Sequence, residues 1–529
     1  AQVEDLDEAG RTDAGTARSG GSGTMTEAIG PFAYNIPFFS IFLAMLSAIA
    51  VPLLPRTSRT AERLTMAVTA LVGVLSAYLL ANVAGTGESF TFMMGHFPAP
   101  WGNELRAGPL EALLALFFCT SMFLSLLGNA GSTEEDIPAE RRYLFCVMVN
   151  LILSSLLALI YTNDIFTAYV FIEINTIAAC AVVAAKDCGE TVRAALRYLV
   201  MSLVGSGLIL ISICLLYDLT GHLLMQHMRT SIAEMTAAGR HTLPLTVSLI
   251  LMTTGLAVKS ALYPFGSWLP DAHGNATNAS SAILSGLVLK GHIFLIIKVF
   301  FRIFGTDTVR LLHMDSALLF FGMAGMVMGS LHALRQTSLK RMIAWSSIAQ
   351  VGYIFLGIGL NTAAGIAAGC LHILVHAAVK PMLFTAAGGL IAVSGHKKEL
   401  QALRGAFYRN RWAGVGLIAG ACSMIGIPTF AGFASKLNLA MASFESPAVL
   451  QGLAVLALST LLNALYYIPA VIVILTSQSD AVLSPSAAVE PVPPFYGGAM
   501  AAFLALNFLL GLFYDPIMRI IGQGLAVLG

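Results

Sequence analysis

Long apolar runs separated by short polar stretches recur along the chain from about residue 36 to residue 521. They fall near 36–54, 62–84, 109–128, 143–161, 164–185, 195–218, 243–269, 276–303, 315–334, 341–360, 363–392, 412–445, 450–476 and 497–521, fourteen in all. A helix needs about 20 apolar residues to cross the hydrocarbon core, and these runs lack the alternation of a barrel strand. The predicted fold is therefore an all-α polytopic membrane protein with about fourteen transmembrane helices. Several runs exceed the spanning length, which predicts tilt or interruption.

Two runs carry their own interruption. The seventh has Lys259 five residues before Pro264, and the twelfth has Pro428 eight residues before Lys436. Proline has no N–H to give to the helix ladder, so both helices are expected to break close to a buried amine. Paired interruptions in two halves of a membrane protein are the pattern of inverted repeats with an ion site near the midplane.

Composition narrows the class. Of the 529 residues, 57% are hydrophobic and 11% charged, with a mean hydropathy of +0.80, whereas about a quarter of the residues in a soluble domain are charged. The net charge of +1 gives no case for nucleic acid. The seven cysteines are scattered without a Cys-x-x-Cys pair, and they read as small packing residues rather than disulfides or iron–sulfur ligands. No nucleotide loop or haem motif is present, so no cofactor is expected. Residues 1–30 are rich in Gly, Ser, Thr, Ala and acid and hold no apolar core of signal-peptide length. They are expected to be a disordered tail or a cloning remnant ahead of a membrane domain spanning 31–529.

Loops after odd-numbered spans carry sixteen Lys and Arg, and those after even-numbered spans carry five, namely Arg106, Arg229, Arg240, Arg302 and Arg310. The positive-inside rule then places both termini outside the cytoplasm. Five basic residues remain within spans, and all are lysines: Lys259, Lys290, Lys298, Lys380 and Lys436. An unpaired charge there costs roughly 2.5–3.5 kcal/mol even on the lenient insertion scale, so each is a functional candidate. Burial can make a lysine give up its proton, whereas an arginine effectively never does, and the bias to lysine favours proton relay over static pairing.

Glu173 is the one carboxylate near the middle of a span, and Lys259 is its expected partner, either as a coupled pair or as a lock between two helices. Lys290 and His292 are two residues apart, so at roughly 100° per residue they point to nearly opposite sides of their helix. Lys298 lies near the end of its span, where it can snorkel to the interface. His372, His376 and Lys380 recur every four residues and form one polar stripe on the eleventh span. Histidine titrates near neutral pH and suits a proton wire. Metal binding by the His372/His376 pair competes with that reading, but no third ligand is placed nearby, and no metal site is expected.

From about residue 35 to 520 the chain resembles the antiporter-like subunits shared by Mrp cation/proton antiporters, respiratory complex I and membrane-bound hydrogenases. Within that family it is most like the D-type Mrp subunit. The resemblance rests on Val170-Phe-Ile-Glu173, on Lys259-Ser-Ala-Leu-Tyr-Pro264-Phe-Gly-Ser-Trp-Leu-Pro270-Asp-Ala-His and on Leu289-Lys290-Gly. Ser338-Leu-Lys340-Arg341-Met-Ile-Ala-Trp-Ser-Ser and Phe430-Ala-Gly-Phe-Ala-Ser-Lys436 add to it.

The resemblance implies fourteen helices, with spans 4–8 (about 143–303) and 9–13 (about 315–476) as inverted five-helix repeats and helices 7 and 12 broken. It implies that Glu173 and Lys259 are a coupled pair and Lys290 a central lysine. His372, His376 and Lys380 become a polar axis on helix 11, and Lys436 the terminal residue towards the outside. It also implies other membrane subunits as partners and a prokaryotic inner membrane. Two departures stand out. Arg106-Ala-Gly-Pro109-Leu-Glu111 stands where related chains often carry an acid directly before the proline, and His292 is not the residue expected at its position. With its last span placed at 497–521, the chain is expected to lack the long lateral helix of the largest members.

The function expected is a proton-translocating or cation/proton-antiporting subunit of a multisubunit complex, with protons moving along Glu173, Lys259, Lys290, the helix-11 stripe and Lys436. Nothing in the sequence consumes fuel, so another subunit must supply the drive and hold any redox centre. The alternative is a non-transporting scaffold, or a module of a quinone-linked or CO2-concentrating complex, whose charges only hold helices together.

Overall fold

The structure, a computed structural model, describes residues 30–55, 59–97, 102–186, 188–476 and 494–529. The tail expected over residues 1–30 lies, but for Gly30, outside the described residues. Helices α1 (Pro31–Ala50), α2 (Thr60–Thr86), α3 (Pro109–Asp136), α4 (Arg142–Tyr161), α5 (Ile165–Ala184) and α6 (Gly189–Thr220) follow one another as the first six crossings. A short antiparallel hairpin, β1 (Phe90–Met93) with β2 (Glu104–Ala107), leads into α3.

The seventh run splits as its proline requires. Helix α7 (Thr242–Lys259) stops at the lysine, Ala261 turns the chain at φ 57°, and a tight turn over Phe265–Trp268 leads into the half-helix α8 (Leu269–Asn275). The eighth crossing is continuous but uneven. Helix α9 (Asn278–Ile283) passes through a π turn, Leu284–Val288, into α10 (Leu289–Val299), and a second π turn, Phe300–Phe304, ends it.

Helices α11 (Met314–Leu334), α12 (Leu339–Gly359) and α13 (Ala363–Ala392) follow. The twelfth crossing is two short helices, α14 (Arg411–Ile425) and α15 (Ala431–Ser443). Between them Gly426 sits at φ +98°, a backbone conformation that stops α14 and that a side chain would strain. Helices α16 (Val449–Leu475) and α17 (Pro494–Leu512) complete the bundle. Among the described residues thirteen helices are long and apolar enough to cross a membrane, and the broken pair α14–α15 makes the fourteenth predicted crossing.

The expected span 497–521 is corrected. It ends at Leu512, and a separate helix α18 (Tyr514–Ala526) follows. Pro516 lies in the first turn of α18, where its missing N–H does no harm; in a continuous helix its ring would meet the carbonyl of Leu512.

Burial sorts these elements into an axis and a shell. The best spanning windows of Asn278–Phe304 and Ala363–Ala392 are wholly buried and that of Leu339–Gly359 is 94% buried, whereas the outermost helices keep a lipid-facing side. The axis is thus α9–α10, α12 and α13, and it carries Lys290, Lys298 and Lys380 together with His292, His372 and His376.

Candidate functional site

The site begins at the α5–α7 contact. Lys259, in the last turn of α7, places Nζ 3.8 Å from Glu173 Oε1 on α5 and donates to Thr176 Oγ1 at 2.8 Å. Glu173 in turn accepts a hydrogen bond from Ser206 Oγ on α6. The Lys259 side chain is 1% exposed and that of Glu173 is 25% exposed. The pair therefore has one end inside the bundle and one at the chain's surface.

Lys290 and His292 on α10 are both buried. His292 lies within electrostatic reach of Lys259, and Lys290 within reach of Lys380. One helix thus carries both a histidine that feels the charge of Lys259 and a lysine that feels the charge of Lys380. Both ring nitrogens of His292 lack a protein partner although the residue is buried. Lys290 Nζ donates to the Ser285 carbonyl in the π turn just before it.

The stripe on α13 is fully buried. Lys380 Nζ donates to Ser346 Oγ at 2.8 Å and to the Ile343 carbonyl at 3.1 Å, both on α12, and reaches Tyr467 OH at 3.4 Å. His376 has no protein partner at either nitrogen, and His372 Nδ1 meets Ser435 Oγ at 2.9 Å. Among the described residues no group of three or more His, Cys, Asp or Glu is gathered as a metal would need. Helix α13 continues through Pro381, which leaves the Ala377 carbonyl without its intrahelical donor; Ser121 Oγ on α3 supplies one at 2.7 Å. A polar break in the axis is thereby closed by a neighbour rather than by straightening the helix.

At the far end Lys436 Nζ donates to the carbonyls of Met424 at 2.6 Å and Ile425 at 3.0 Å. These are among the orphan acceptors of the α14 C-terminus, where positive charge is favoured by the helix dipole. The breaks at Pro264 and Pro428 thus each place a lysine beside interrupted backbone, in α7 before the break and in α15 after it.

Two expectations change. Lys298 does not snorkel: it is fully buried, and its ammonium binds the carbonyls of Leu159 at 3.2 Å and Ile160 at 3.1 Å, as well as that of Thr162, closing the end of α4. Arg302, expected as a loop charge, is also buried and pairs with Glu111 at 2.6 Å, donating besides to the Leu528 carbonyl at 2.8 Å. Glu111 is thus more deeply buried than Glu173. Arg302 stands beside the end of the 276–303 run, and the π turn Phe300–Phe304 keeps that end helical and buried.

Sequence reasoning missed residues that the fold brings to the same axis. Ser346, Gln350 and Tyr353 recur at helical spacing along α12, opposite the α13 stripe, and all are buried. Gln350 has no protein partner for either amide atom. His273 on α8 is fully buried with both nitrogens unpartnered, within reach of Lys340, Lys290 and Lys380. Lys340, at the start of α12, is buried and donates to the Ala276 carbonyl at 2.6 Å beside a cavity of about 50 Å³ lined by Glu135, Asp136, Lys186 and Lys398. The i, i+4, i+7 polar face of α12 was legible as a period; the buried Lys340 was not, since it stands at a span edge.

Known proteins match this arrangement over most of its length. A family model described as NADH:quinone oxidoreductase/Mrp antiporter, transmembrane, matches residues 162–462. NADH-quinone oxidoreductase subunit N of Desulforudis audaxviator is 30% identical over 94% of this chain and 95% of its own length. The D-type subunit of the Na(+)/H(+) antiporter of Alkalihalophilus pseudofirmus is 29% identical over 71% of this chain and 74% of its own. Among solved structures, a chain of an archaeal membrane-bound sulfane sulfur reductase superposes with a TM-score of 0.81 at 26% identity, covering 93% of this chain and 98% of that one. A chain of the Mrp complex from Dietzia sp. DQ12-45-1b does so with a TM-score of 0.83 at 20% identity, covering 94% and 97%.

Proposed function

We propose that this chain, which belongs to the NADH:quinone oxidoreductase/Mrp antiporter family of membrane subunits, moves protons along Glu173, Lys259, His292, Lys290, Lys380, His376, His372 and Lys436. One observation carries the reading. Among the described residues only one of the six buried lysines, Lys259, has a carboxylate within ion-pair distance; the others bind carbonyl and hydroxyl oxygens. Ionic glue needs both signs, and a buried cation without its counter-charge is costly. Amines on neutral acceptors suit groups that are charged in one step and neutral in the next, and they disfavour the scaffold reading.

The drive enters from outside the chain. Glu173 is partly exposed where Lys259 is not, so a neighbouring subunit can change the charge or position of the carboxylate without entering the bundle. That change alters how strongly Lys259 holds its proton, and repulsion passes through His292 and Lys290 to Lys380. The partners are the other membrane subunits of an Mrp-like or complex I-like assembly. His273 and Lys340 offer the axis a connection to the face that carries most of the loop Lys and Arg.

In this reading spans 4–8 and 9–13 are the inverted repeats, about 143–303 and 315–476, each with its broken helix in fourth place. The loop charges put both termini outside the cytoplasm of a prokaryotic inner membrane. The test is proton movement in vesicles carrying the native assembly, followed with a pH-sensitive acridine dye, after replacing Lys290 or Lys380 by Gln. Transport should collapse with the assembly intact on a native gel. Wild-type transport in both variants would overturn the proposal.

A further inference from the structure

The proposed path must pass from α10 in one repeat to α13 in the other, and where it does so two hydroxyls meet. Ser285 lies in the π turn before α10, Ser347 in the middle of α12, and both are fully buried. Their Oγ atoms are 3.0 Å apart. Each is tied to one of the flanking lysines. Lys290 Nζ sits on the carbonyl of Ser285 itself. Ser347 Oγ donates at 3.0 Å to the Ile343 carbonyl, which also accepts from Lys380 Nζ at 3.1 Å.

The backbone is shaped to allow this meeting. A Cβ on Gly286 would stand 2.4 Å from Cγ of Pro381, the residue after Lys380, so only glycine lets the π turn come so close to α13. The wider π turn also leaves the Ser285 carbonyl available to Lys290 rather than to a regular ladder partner.

We propose that the Ser285–Ser347 hydroxyl pair is the relay through which a proton crosses between the two repeats. The Lys290 ammonium swings from the Ser285 carbonyl to Ser285 Oγ and gives it one N–H proton, and the hydroxyl's own proton passes to Ser347 Oγ; Ser347 turns its O–H from the Ile343 carbonyl that it shares with Lys380, and the neutral Lys380 amine takes the proton. Lys290 ends as an amine and Lys380 as an ammonium, each serine keeps one proton, and no electrons move. A hydroxyl both donates and accepts and can rotate, so the pair resets by turning round. The ordinary alternative is a structural tie between α10 and α12, which would need the bond but not its protons.

This inference rests on the proton-path reading, and one experiment separates the two. In vesicles carrying the full native assembly, Ser347→Ala and Ser285→Ala are each expected to slow proton movement about tenfold per assembled complex, the rate equivalent of one hydrogen bond lost from the barrier. The double variant should be no slower than either single one, because one crossing is broken once. Ser347→Thr, which keeps the hydroxyl, should restore the rate. Wild-type rates in both alanine variants, or a Thr variant as slow as Ala, would overturn the relay. Lys290→Gln in the same vesicles tells the failures apart: if it too transports normally the whole path falls, and if it is inactive only the hydroxyl crossing does.

Discussion

Lys436 Nζ lies 4.7 Å from the centre of the Tyr353 ring, and that ring stacks on His372 at 5.3 Å between centroids. One aromatic side chain on α12 thus separates the last histidine of the α13 stripe from the lysine of the second broken helix. A buried ring face attracts an ammonium by about 0.5–2 kcal/mol and does nothing comparable for the neutral amine. It favours the charged form at the end of the path without supplying a counter-ion.

Tyr353→Leu should therefore weaken transport several-fold, while Tyr353→Phe, which keeps the ring and loses the hydroxyl that accepts from Asn463 Nδ2 at 3.3 Å, should stay near wild type. Dye-based transport rates per assembled complex decide it; equal rates for Leu and Phe would exclude a role for the ring.

Glu173→Ala or Lys259→Ala should abolish transport and leave the assembly detectable. The pair is 3.8 Å apart, with Thr176 and Ser206 already satisfying much of the hydrogen bonding, so losing one charge need not collapse the α5–α6–α7 packing. Full transport by either variant in an intact complex would remove the pair from the mechanism.

Glu111→Ala should behave in the opposite way, acting on folding. It would strand Arg302, which is 2% exposed and holds Glu111 at 2.6 Å, and stranding one partner of a buried pair costs about 3–5 kcal/mol. Thermal melting of the detergent-solubilised complex should drop sharply, and Glu111→Gln, which can still accept a hydrogen bond, should fall between. An unchanged melting temperature for Glu111→Ala would mean that Arg302 finds another partner.

The sequence announces what depends on local chemistry. Pro264, Pro428 and Gly426 break helices by their own backbone limits, and the i, i+4, i+8 spacing of His372, His376 and Lys380 fixes a shared face. What it does not announce depends on partners far along the chain. Arg302 reads as a loop residue until Glu111, 191 positions away, is brought beside it. Ser347 is one of many span serines until the π turn sets Ser285 against it. Lys298 reads as an interfacial lysine because nothing local shows that the carbonyls at the end of α4 surround it. The charges in the middle of spans were thus visible, while those at span edges, Lys340 and Arg302, and the neutral groups that seat the lysines were not.

Lys290→Arg separates relay from glue most cleanly. Arginine keeps the positive charge and pairs with acceptors at least as well as lysine, so a structural cation at this position would be replaced without loss of function. A relay requires a group that gives its proton up within each cycle, which a guanidinium does not do. Lys290 is fully buried and its ammonium meets a carbonyl with no carboxylate beside it, so nothing about its surroundings calls for a permanent charge. Transport by Lys290→Arg should be abolished or strongly reduced. Arginine is bulkier, and the packed site means that misfit must be separated from chemistry. Native gels and melting curves of the Arg and Gln variants side by side do this, since a misfit specific to Arg would lower its assembly while Gln assembles normally. An assembled Lys290→Arg complex that moves protons at the wild-type rate would show that Lys290 carries none, and the central step of the path would have to run elsewhere.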